Sequence, residues 1–595
     1  MAVSTSNTTN GIEIKLTAYH NCDDVQLFWR AAVDDQSDVP IPDCLGFSIE
    51  RCRKNSDDEW GPTEVLRNRV GFSNQPDLDE DGTPQFVTKP SSVWPFQRYD
   101  WTDHGANNGQ TVKYRVIAVG LHEGVPGEVE LPPLADSGWT DPIRVNGRAG
   151  NDTSAFFNRG AVMSQYVARL ARKNNWTALD IKEHIAELEE PIRRFLAGEL
   201  RMELLRILDE IIENPDLSFY AALYELADAE LIQRLQLLRG RAHIVLANGS
   251  VASGDGNEEA RAALRSANVD VRDRMLGSKG LGHNKFGVVV RTPANKAVKV
   301  WTGSTNWAAT GLCTQLNNAI VFDDEDVAQS FLEQWRRLAT AQNGFPADLV
   351  QANAQSPRSI DNVDVWFTRV RNPQPPTTPP AGDIETLIDL VNGAQSAILY
   401  VMFQPGSQPL ASILLRANEP ELVVKGVVST VGANNEEQFT LLGIDRQSKE
   451  YQTALIQPEG IVKDFSAWVE EVTRFEFLTT NHHVGIGHAI THAKMIVIDP
   501  FSDNCKVITG SHNFSKSASE RNDENFVVIH GNRLLAEAYA VACLSTYEHY
   551  RWRAYVKEKS DADEPIWDHL TDSQAWQEKC LTPAVKQTLS LWCPR

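Results

Sequence analysis

The first quarter of the chain alternates. Ile12-Glu13-Ile14-Lys15-Leu16 switches between apolar and polar at every step, Val25–Trp29 and Phe47–Arg51 do so less strictly, and Val112–Val119 and Ile143–Val145 continue the pattern. Turn-rich stretches separate these runs. A period of two broken by frequent turns predicts an antiparallel β-sandwich over residues 12–150, behind a polar, flexible N-terminus at 1–11. The Asp-, Pro- and Gly-rich stretch at about 54–100 predicts a long exposed loop within it. From Val162 to Arg239 the period becomes helical. Ile181, Ile185, Leu188, Ile192, Phe195 and Leu196 recur three to four apart, and Leu204, Leu205, Ile207, Leu208, Ile211 and Ile212 follow.

Beyond this the chain repeats itself. Ile244–Ala247 is an apolar run entering the polar loop Asn248-Gly249-Ser250, and its expected repeat partner is Ile398–Phe403, entering Gln404-Pro405-Gly406-Ser407. Predicted helices follow at Glu258–Ala267 and Leu410–Ala417. Later strands are predicted at Asn318–Phe322 and Asn525–Ile529. Closing helices are predicted at Val327–Thr340, capped by Asp326, and at Arg533–Tyr550, capped by Asn532. Alternating strands and helices in two copies predict two α/β lobes related by a pseudo-twofold. The predicted architecture is therefore multidomain: the β-sandwich, a first lobe at 151–355 with a helical insertion at about 162–222, a second lobe at 356–555, and a C-terminal cap at 556–595 packed on the second lobe. Phe156–Gly160 is read as the first lobe's opening strand, and the Pro-rich run 373–380 as an exposed, stiff connection near the junction.

Each lobe also carries one copy of a polar motif. The first is His283-Asn284-Lys285 at the head of an apolar run, followed by Gly303-Ser304-Thr305-Asn306-Trp307. The second is His492-Ala493-Lys494, followed by Gly510-Ser511-His512-Asn513-Phe514. Residues two apart on a strand share a face, so each motif sets an imidazole beside an ammonium. That pair suits a phosphodiester. An imidazole attacks phosphorus or moves a proton, and an ammonium holds a non-bridging oxygen. A lone His-x-Lys is ordinarily a surface pair; two copies, each with a matched Gly-Ser-x-Asn, predict one shared active site.

The paired His-x-Lys…Gly-Ser-x-Asn half-sites resemble the phospholipase D superfamily, over about 155–165 and 225–555. This family includes phospholipases D, cardiolipin synthase-type transferases and metal-independent nucleases. The second motif matches throughout, with His492, Lys494, Asp499, Ser511, Asn513 and Glu524. The first departs twice: Val290 stands at the family's Asp, and Asn317 stands opposite Glu524. The resemblance implies catalysis by His283, Lys285, Ser304 and Asn306 with the second set, Asp499 bracing its motif through backbone or hydroxyl contacts, and Val290 leaving the first copy braced by packing. The Trp29 strand and the Tyr114-Arg115-Val116 strand together resemble fibronectin type III modules.

From the chemistry of these groups, one histidine is expected to form a phosphohistidine while the other protonates the leaving oxygen and then activates water or an alcohol. Glu524 is expected on the far nitrogen of His492, raising its pKa, with neutral Asn317 leaving His283 the readily neutral ring. That makes His283 the expected nucleophile and His492 the acid/base. No cofactor and no metal are expected. His482, His483 and His488 read as loop residues, because no carboxylate or cysteine falls at metal-ligand spacing. Trp307 and Phe514 are expected to pack beneath the site.

Charge then bears on the substrate. The chain has 595 residues, a net charge of −22 and a pI near 5.1, which argues against a generic nucleic-acid binder. No basic, aromatic stripe suited to stacking bases is evident. The expected substrate is a phospholipid or other phosphodiester met at a transient membrane surface, although no amphipathic membrane-binding helix is evident. The rivals are a nuclease on the same scaffold and a weakly catalytic binding protein that reaches a partner through its sandwich. Eight scattered cysteines without a Cys-x-x-Cys pair read as reduced thiols, with Cys22, Cys44 and Cys52 near enough in sequence for one disulfide. The start of the chain lacks a signal-peptide pattern and no window has the ~20 apolar residues of a membrane span, so a cytoplasmic location, or export by a route without such a mark, is expected.

Overall fold

The computed structural model describes residues 2–73, 87–122, 124–160, 164–251, 254–375, 377–458, 491–564 and 569–595. The loop carrying His482, His483 and His488 lies outside them. The described residues form two compact units. One comprises Met1–Gly147 and Trp552–Arg595; the other comprises the described residues of 148–551.

The first unit holds two five-stranded sheets, antiparallel throughout. One sheet pairs the strands at 3–9, 12–20, 25–33 and 36–37, with 100–103 added beside 25–33. The other pairs 133–136, 111–120, 44–53 and 64–65, with 143–144 added. Trp29 and Phe47, one from each sheet, meet edge to face at 5.4 Å. The expected loop at 54–100 falls partly outside the described residues, and its described part is not all loop: it supplies Glu64–Val65 and Asp100–Asp103 to the two sheets. The C-terminal segment also corrects the expectation. It packs on this unit: Trp592 stacks on Phe28 at 4.8 Å, Trp576 Nε1 donates to the Cys44 carbonyl at 3.0 Å, and Gln577 Nε2 donates to the Ile41 carbonyl at 2.9 Å. Its tryptophans gave the need for a partner surface but not which one. All eight cysteines are free thiols.

The second unit holds two larger sheets. The first contains β1 (Thr153–Phe157), β2 (Leu217–Leu223), β3 (Ala242–Ala247), β4 (Asp270–Arg274), β5 (Lys285–Arg291), β6 (Lys296–Gly303) and β7 (Asn318–Phe322), in the order β1-β7-β6-β5-β2-β3-β4. The second contains β8 (Arg358–Ile360), β9 (Val363–Phe367), β10 (Ala397–Met402), β11 (Val423–Val428), β12 (Leu455–Ile456), β13 (Met495–Ile498), β14 (Lys506–Gly510) and β15 (Asn525–His530), in the order β8-β9-β15-β14-β13-β10-β11-β12. Apart from the extra edge strand β8, order and direction agree strand for strand. In each sheet three neighbours run parallel (β2-β3-β4, β10-β11-β12) and the rest antiparallel.

This order corrects the expected register of the repeat. The counterpart of β10 is β2, not the Ile244 strand, because β2 and β10 each flank a His-x-Lys strand. In the sequence Leu217–Leu223 falls at the end of the expected helical region. It is buried on both faces, so it shows no alternation, and periodicity cannot tell such a run from buried helix. The inserted helices are Ser164–Asn174, Ala178–Ala186 and Pro191–Glu213. A smaller correction concerns Glu325–Ala341. Its N-cap is Asp324, whose carboxylate accepts from the Asp326 and Val327 amides, so the helix starts two residues earlier than expected. Among the described residues no helix is long and apolar enough to cross a membrane.

Candidate active site

The two Gly-Ser-x-Asn turns follow β6 and β14. Their glycines are demanded by close approach: a Cβ on Gly303 would lie 2.3 Å from the Asn318 carbonyl oxygen, and one on Gly510 would lie 2.3 Å from that of Asn525. The serine after each glycine pins the turn. Ser304 Oγ accepts from the Asn318 amide at 3.0 Å and Ser511 Oγ from the Asn525 amide at 3.0 Å. Asn306 and Asn513 then stand clear of the turns, and the buried Oδ1 atom of each has no hydrogen-bond partner among the described residues.

His283 and His492 stand immediately before the apolar strands, and their ring centres lie 6.4 Å apart. Each ring packs against an aromatic at the end of the neighbouring strand: Tyr224 after β2 at 4.7 Å from His283, and Phe403 after β10 at 4.9 Å from His492. The same rings carry the lysines. Lys285 Nζ sits 4.9 Å from the Tyr224 ring centre and Lys494 Nζ 5.1 Å from that of Phe403. Each lysine also donates to the carbonyl of its own histidine, at 3.0 Å and 2.5 Å.

The partners of the imidazoles are exchanged between lobes. Glu524 was expected on His492, but its Oε2 lies 3.3 Å from Nδ1 of His283, without the alignment of a good hydrogen bond. Asn317 Oδ1 lies 2.9 Å from Nδ1 of His492. The backbone explains the exchange. Gly282 bridges to Asp523 and Leu316 bridges to Thr491, so the residue before each histidine pairs with the residue before the other lobe's polar partner. Asn317 is held in one orientation: its Nδ2 donates to the Gly311 carbonyl at 2.8 Å and its Oδ1 accepts from Ser304 Oγ at 2.8 Å. His492 must therefore donate from Nδ1, and a carboxylate imposes the same tautomer on His283. With Nδ1 of each ring facing its partner, Nε2 is the remaining nitrogen, and the His492 ring also bonds to the Ser304 backbone. A further reciprocal pair crosses the same junction. Asn525 Nδ2 donates to Thr302 Oγ1 at 2.8 Å, and Asn318 Nδ2 donates to Thr509 Oγ1 at 2.6 Å.

The family model for the cardiolipin synthase, phospholipase D-like domain matches residues 387–541, which contain His492, Lys494, Asp499, Ser511, Asn513 and Glu524. The chain carries a domain of the phospholipase D superfamily. Among solved structures it is similar to phosphatidylserine synthase of Haemophilus influenzae, at 11% identity over 60% of this chain and 90% of that one, with a TM-score of 0.39. It is similar to polyphosphate kinase of Porphyromonas gingivalis, at 13% identity, 55% of this chain, 42% of the kinase and a TM-score of 0.34. It is also similar to the phospholipase D family member Nuc of Salmonella typhimurium, at 18% identity, 24% of this chain, 91% of that one and a TM-score of 0.20. The match thus spans less than half of the kinase. No curated protein sequence matches the chain.

In this phospholipase D-like site, burial sets the electrostatics. Burial and Lys285 bring His283 down to about 4, although Glu524 pulls the other way. Burial, Lys494 and Lys285 hold His492 well below the usual imidazole range. Burial pushes Glu524 up, but His283, His512 and Asn522 outweigh it and keep it ionised, at about 2. Burial lowers Lys285 to about 7, opposed by Glu524 and Glu225, and lowers Lys494 further with Lys285 adding to the effect. Between about 7 and the ordinary 10.5 the unfolded chain binds more protons at Lys285 than the folded one, so the cost of burying it eases as pH rises through that window. An anion reverses the depression. Binding of inorganic phosphate at pH 8.5 is therefore expected to take up a proton at Lys285, with Lys494 adding to the uptake, seen as a calorimetric heat that varies with the ionisation enthalpy of the buffer. At pH 6 Lys285 is already charged, so fewer protons should be taken up and the heat should depend less on the buffer. Binding at pH 8.5 with no buffer dependence would show that Lys285 is already charged.

Asp499 lies apart from the histidines. Its carboxylate accepts from the backbone amides of Gln395, Ser396 and Ala397 and from Ser396 Oγ, all within 2.6–3.0 Å, and so pins the start of β10. Val290 is buried within β5 opposite Ser218. Trp307 and Phe514 are fully buried behind their asparagines. Sequence reasoning missed Tyr224, Phe403 and the buried His512–Asp383 pair at 3.3 Å. The aromatics ended apolar strands like any others; only the correct repeat register, which aligns Tyr224 with Phe403, would have marked them.

Proposed function

We propose that this chain is a phosphodiesterase of the phospholipase D type, cleaving or transferring the phosphodiester of a phospholipid through a phosphohistidine intermediate. The reading rests on one observation above all: two buried imidazoles 6.4 Å apart, each accompanied by a buried lysine. On this reading residues 151–355 and 356–555 are two lobes related by a pseudo-twofold, residues 12–150 form a fibronectin type III-like sandwich, and 556–595 cap it.

His283 is the proposed nucleophile. Glu524 attends this ring and not His492. Burial keeps His283 neutral despite the carboxylate. When Nε2 bonds to phosphorus the ring becomes cationic, and Glu524 stabilises that charge at Nδ1. As the N–P bond forms, the P–O bond to the leaving group breaks. His492 takes up a proton at Nε2 when the substrate's anion enters and so acts as imidazolium. It gives the leaving oxygen that proton and returns to the neutral Nδ1–H ring. His492 then takes a proton from water or an alcohol, whose oxygen displaces His283 from phosphorus. Lys285, Lys494, Asn306 and Asn513 surround the non-bridging oxygens. The two lysines supply positive charge that a metal would otherwise bring, so the mechanism predicts activity in the presence of a chelator.

The test is cleavage with EDTA present, offering phosphatidylcholine, cardiolipin, single-stranded DNA and bis(p-nitrophenyl) phosphate. Release of nitrophenol and hydrolysis of a phospholipid are expected. Preferential DNA cleavage would make the protein a nuclease, and no cleavage would favour a binding protein. Activity lost to EDTA and restored by zinc or magnesium would overturn the mechanism.

A further inference from the structure

The asparagine turns of the two halves are closed differently. In the first, the amide of Trp307, next to Asn306, donates to the Glu225 carbonyl at 3.1 Å, main chain to main chain. In the second, the amide of Phe514, next to Asn513, donates to a side chain: Nδ1 of His512, at 3.0 Å. Phe514 also has a left-handed backbone, with φ of 50°, which Trp307 does not. A bulky residue seldom keeps that conformation unless its surroundings hold it there. Its carbonyl accepts from the Gly406 amide at 2.9 Å, and His512 supplies the restraint on its amide.

An accepting ring nitrogen carries no proton, so the proton of His512 sits on Nε2. That nitrogen lies 3.3 Å from Asp383 Oδ2 and 3.4 Å from Ser519 Oγ. His512 and Asp383 are both fully buried, and among the described residues no other basic group lies within ion-pair distance of Asp383. A carboxylate buried this completely favours a donor facing it, which keeps the proton on Nε2 and leaves Nδ1 to accept.

We propose that His512 is a positioning residue for Asn513: its Nδ1 stands in for the carbonyl that closes the first turn, and so fixes the asparagine. This rests on the phosphodiesterase reading above, in which Asn513 holds a non-bridging oxygen of the substrate. The role needs an acceptor at the place of Nδ1, not an imidazole as such. Asparagine supplies one, because its side-chain oxygen accepts from the amide two residues on. Glutamine extends to the place of Nε2, toward Asp383, and leaves the place of Nδ1 without an acceptor.

The test compares His512→Asn with His512→Gln in the full chain, by calorimetric binding of inorganic phosphate, turnover of bis(p-nitrophenyl) phosphate and unfolding in urea. His512→Asn is expected to stay within about threefold of wild type in binding and in kcat. His512→Gln is expected to bind phosphate about tenfold more weakly and to lower kcat about 100-fold, the effect of one misplaced donor to a developing oxyanion. Stability should run the other way, because glutamine keeps a polar group facing Asp383 and asparagine does not. Function that follows stability would overturn the inference, as would equal function in the two variants. Adding His512→Gln to Asn513→Ala should cost less than about threefold more, since the residue it positions is gone; a full further 100-fold would also overturn it. A wild-type chain that binds phosphate without turnover strikes at the phosphodiesterase reading alone, and the binding difference between the two variants then decides the role of His512. A wild-type chain that binds no phosphate overturns both.

Discussion

Alanine at His283 or at His492 is expected to lower steady-state phosphodiester turnover at least about ten-thousandfold, because each ring acts in both chemical steps. The two variants should fail differently. Nitrophenol is a good leaving group and departs without a proton, so His492→Ala should still release one equivalent in a burst and then stall with phosphate on His283. His283→Ala should give no burst. Mass spectrometry of the stalled protein is the direct reading: phosphate on a peptide containing His492 would exchange the two roles. Glu524→Gln belongs to the same step. Its amide could donate to Nδ1 and impose the other tautomer, so burst formation should slow by as much as about 10⁴-fold, the effect of such a swap behind other catalytic imidazoles. A mere shift in the pH profile would mean that Glu524 tunes charge without setting the tautomer.

The second large effect is on stability. Arg274 at the end of β4 and Asp523 just before Glu524 form a bidentate pair across the two sheets, at 2.7 and 3.1 Å, each side chain 1% exposed. Arg274 also donates to the Gly344 carbonyl at 2.6 Å. Burial pushes the Asp523 carboxyl up even beside this guanidinium. Removing one partner strands a buried charge, so Arg274→Met or Asp523→Leu should each cost about 3–5 kcal/mol in urea unfolding. The double replacement should recover much of that, because a buried pair contributes little net stability over apolar packing. Single variants within about 1 kcal/mol of wild type would show that water reaches the pair.

Much of this was legible in the chain because strand geometry is local. His-x-Lys at the head of an apolar run fixes which face the two side chains share, and Gly-Ser-x-Asn marks a turn that tolerates no Cβ. The second copy supplied the inference of one site. What escaped was non-local. Nothing near Glu524 in sequence says which histidine it attends; that is decided by the Gly282–Asp523 and Leu316–Thr491 bridges between distant segments. β2 escaped because a strand buried on both faces shows no alternation. The C-terminal segment declared its need for cover through Trp576 and Trp592, but its docking face lies on residues such as Phe28 and Cys44 at the other end of the chain.

The exchange of partners between the lobes also constrains inheritance. A substitution at Glu524 is read out chemically at His283, and one at Asn317 at His492. Neither lobe can drift alone, since each is the other's immediate environment. Two halves of like strand order can do different work, because a single carboxylate-to-amide difference in one half changes what faces the histidine of the other. Specialisation of the histidines then needs no change at either histidine.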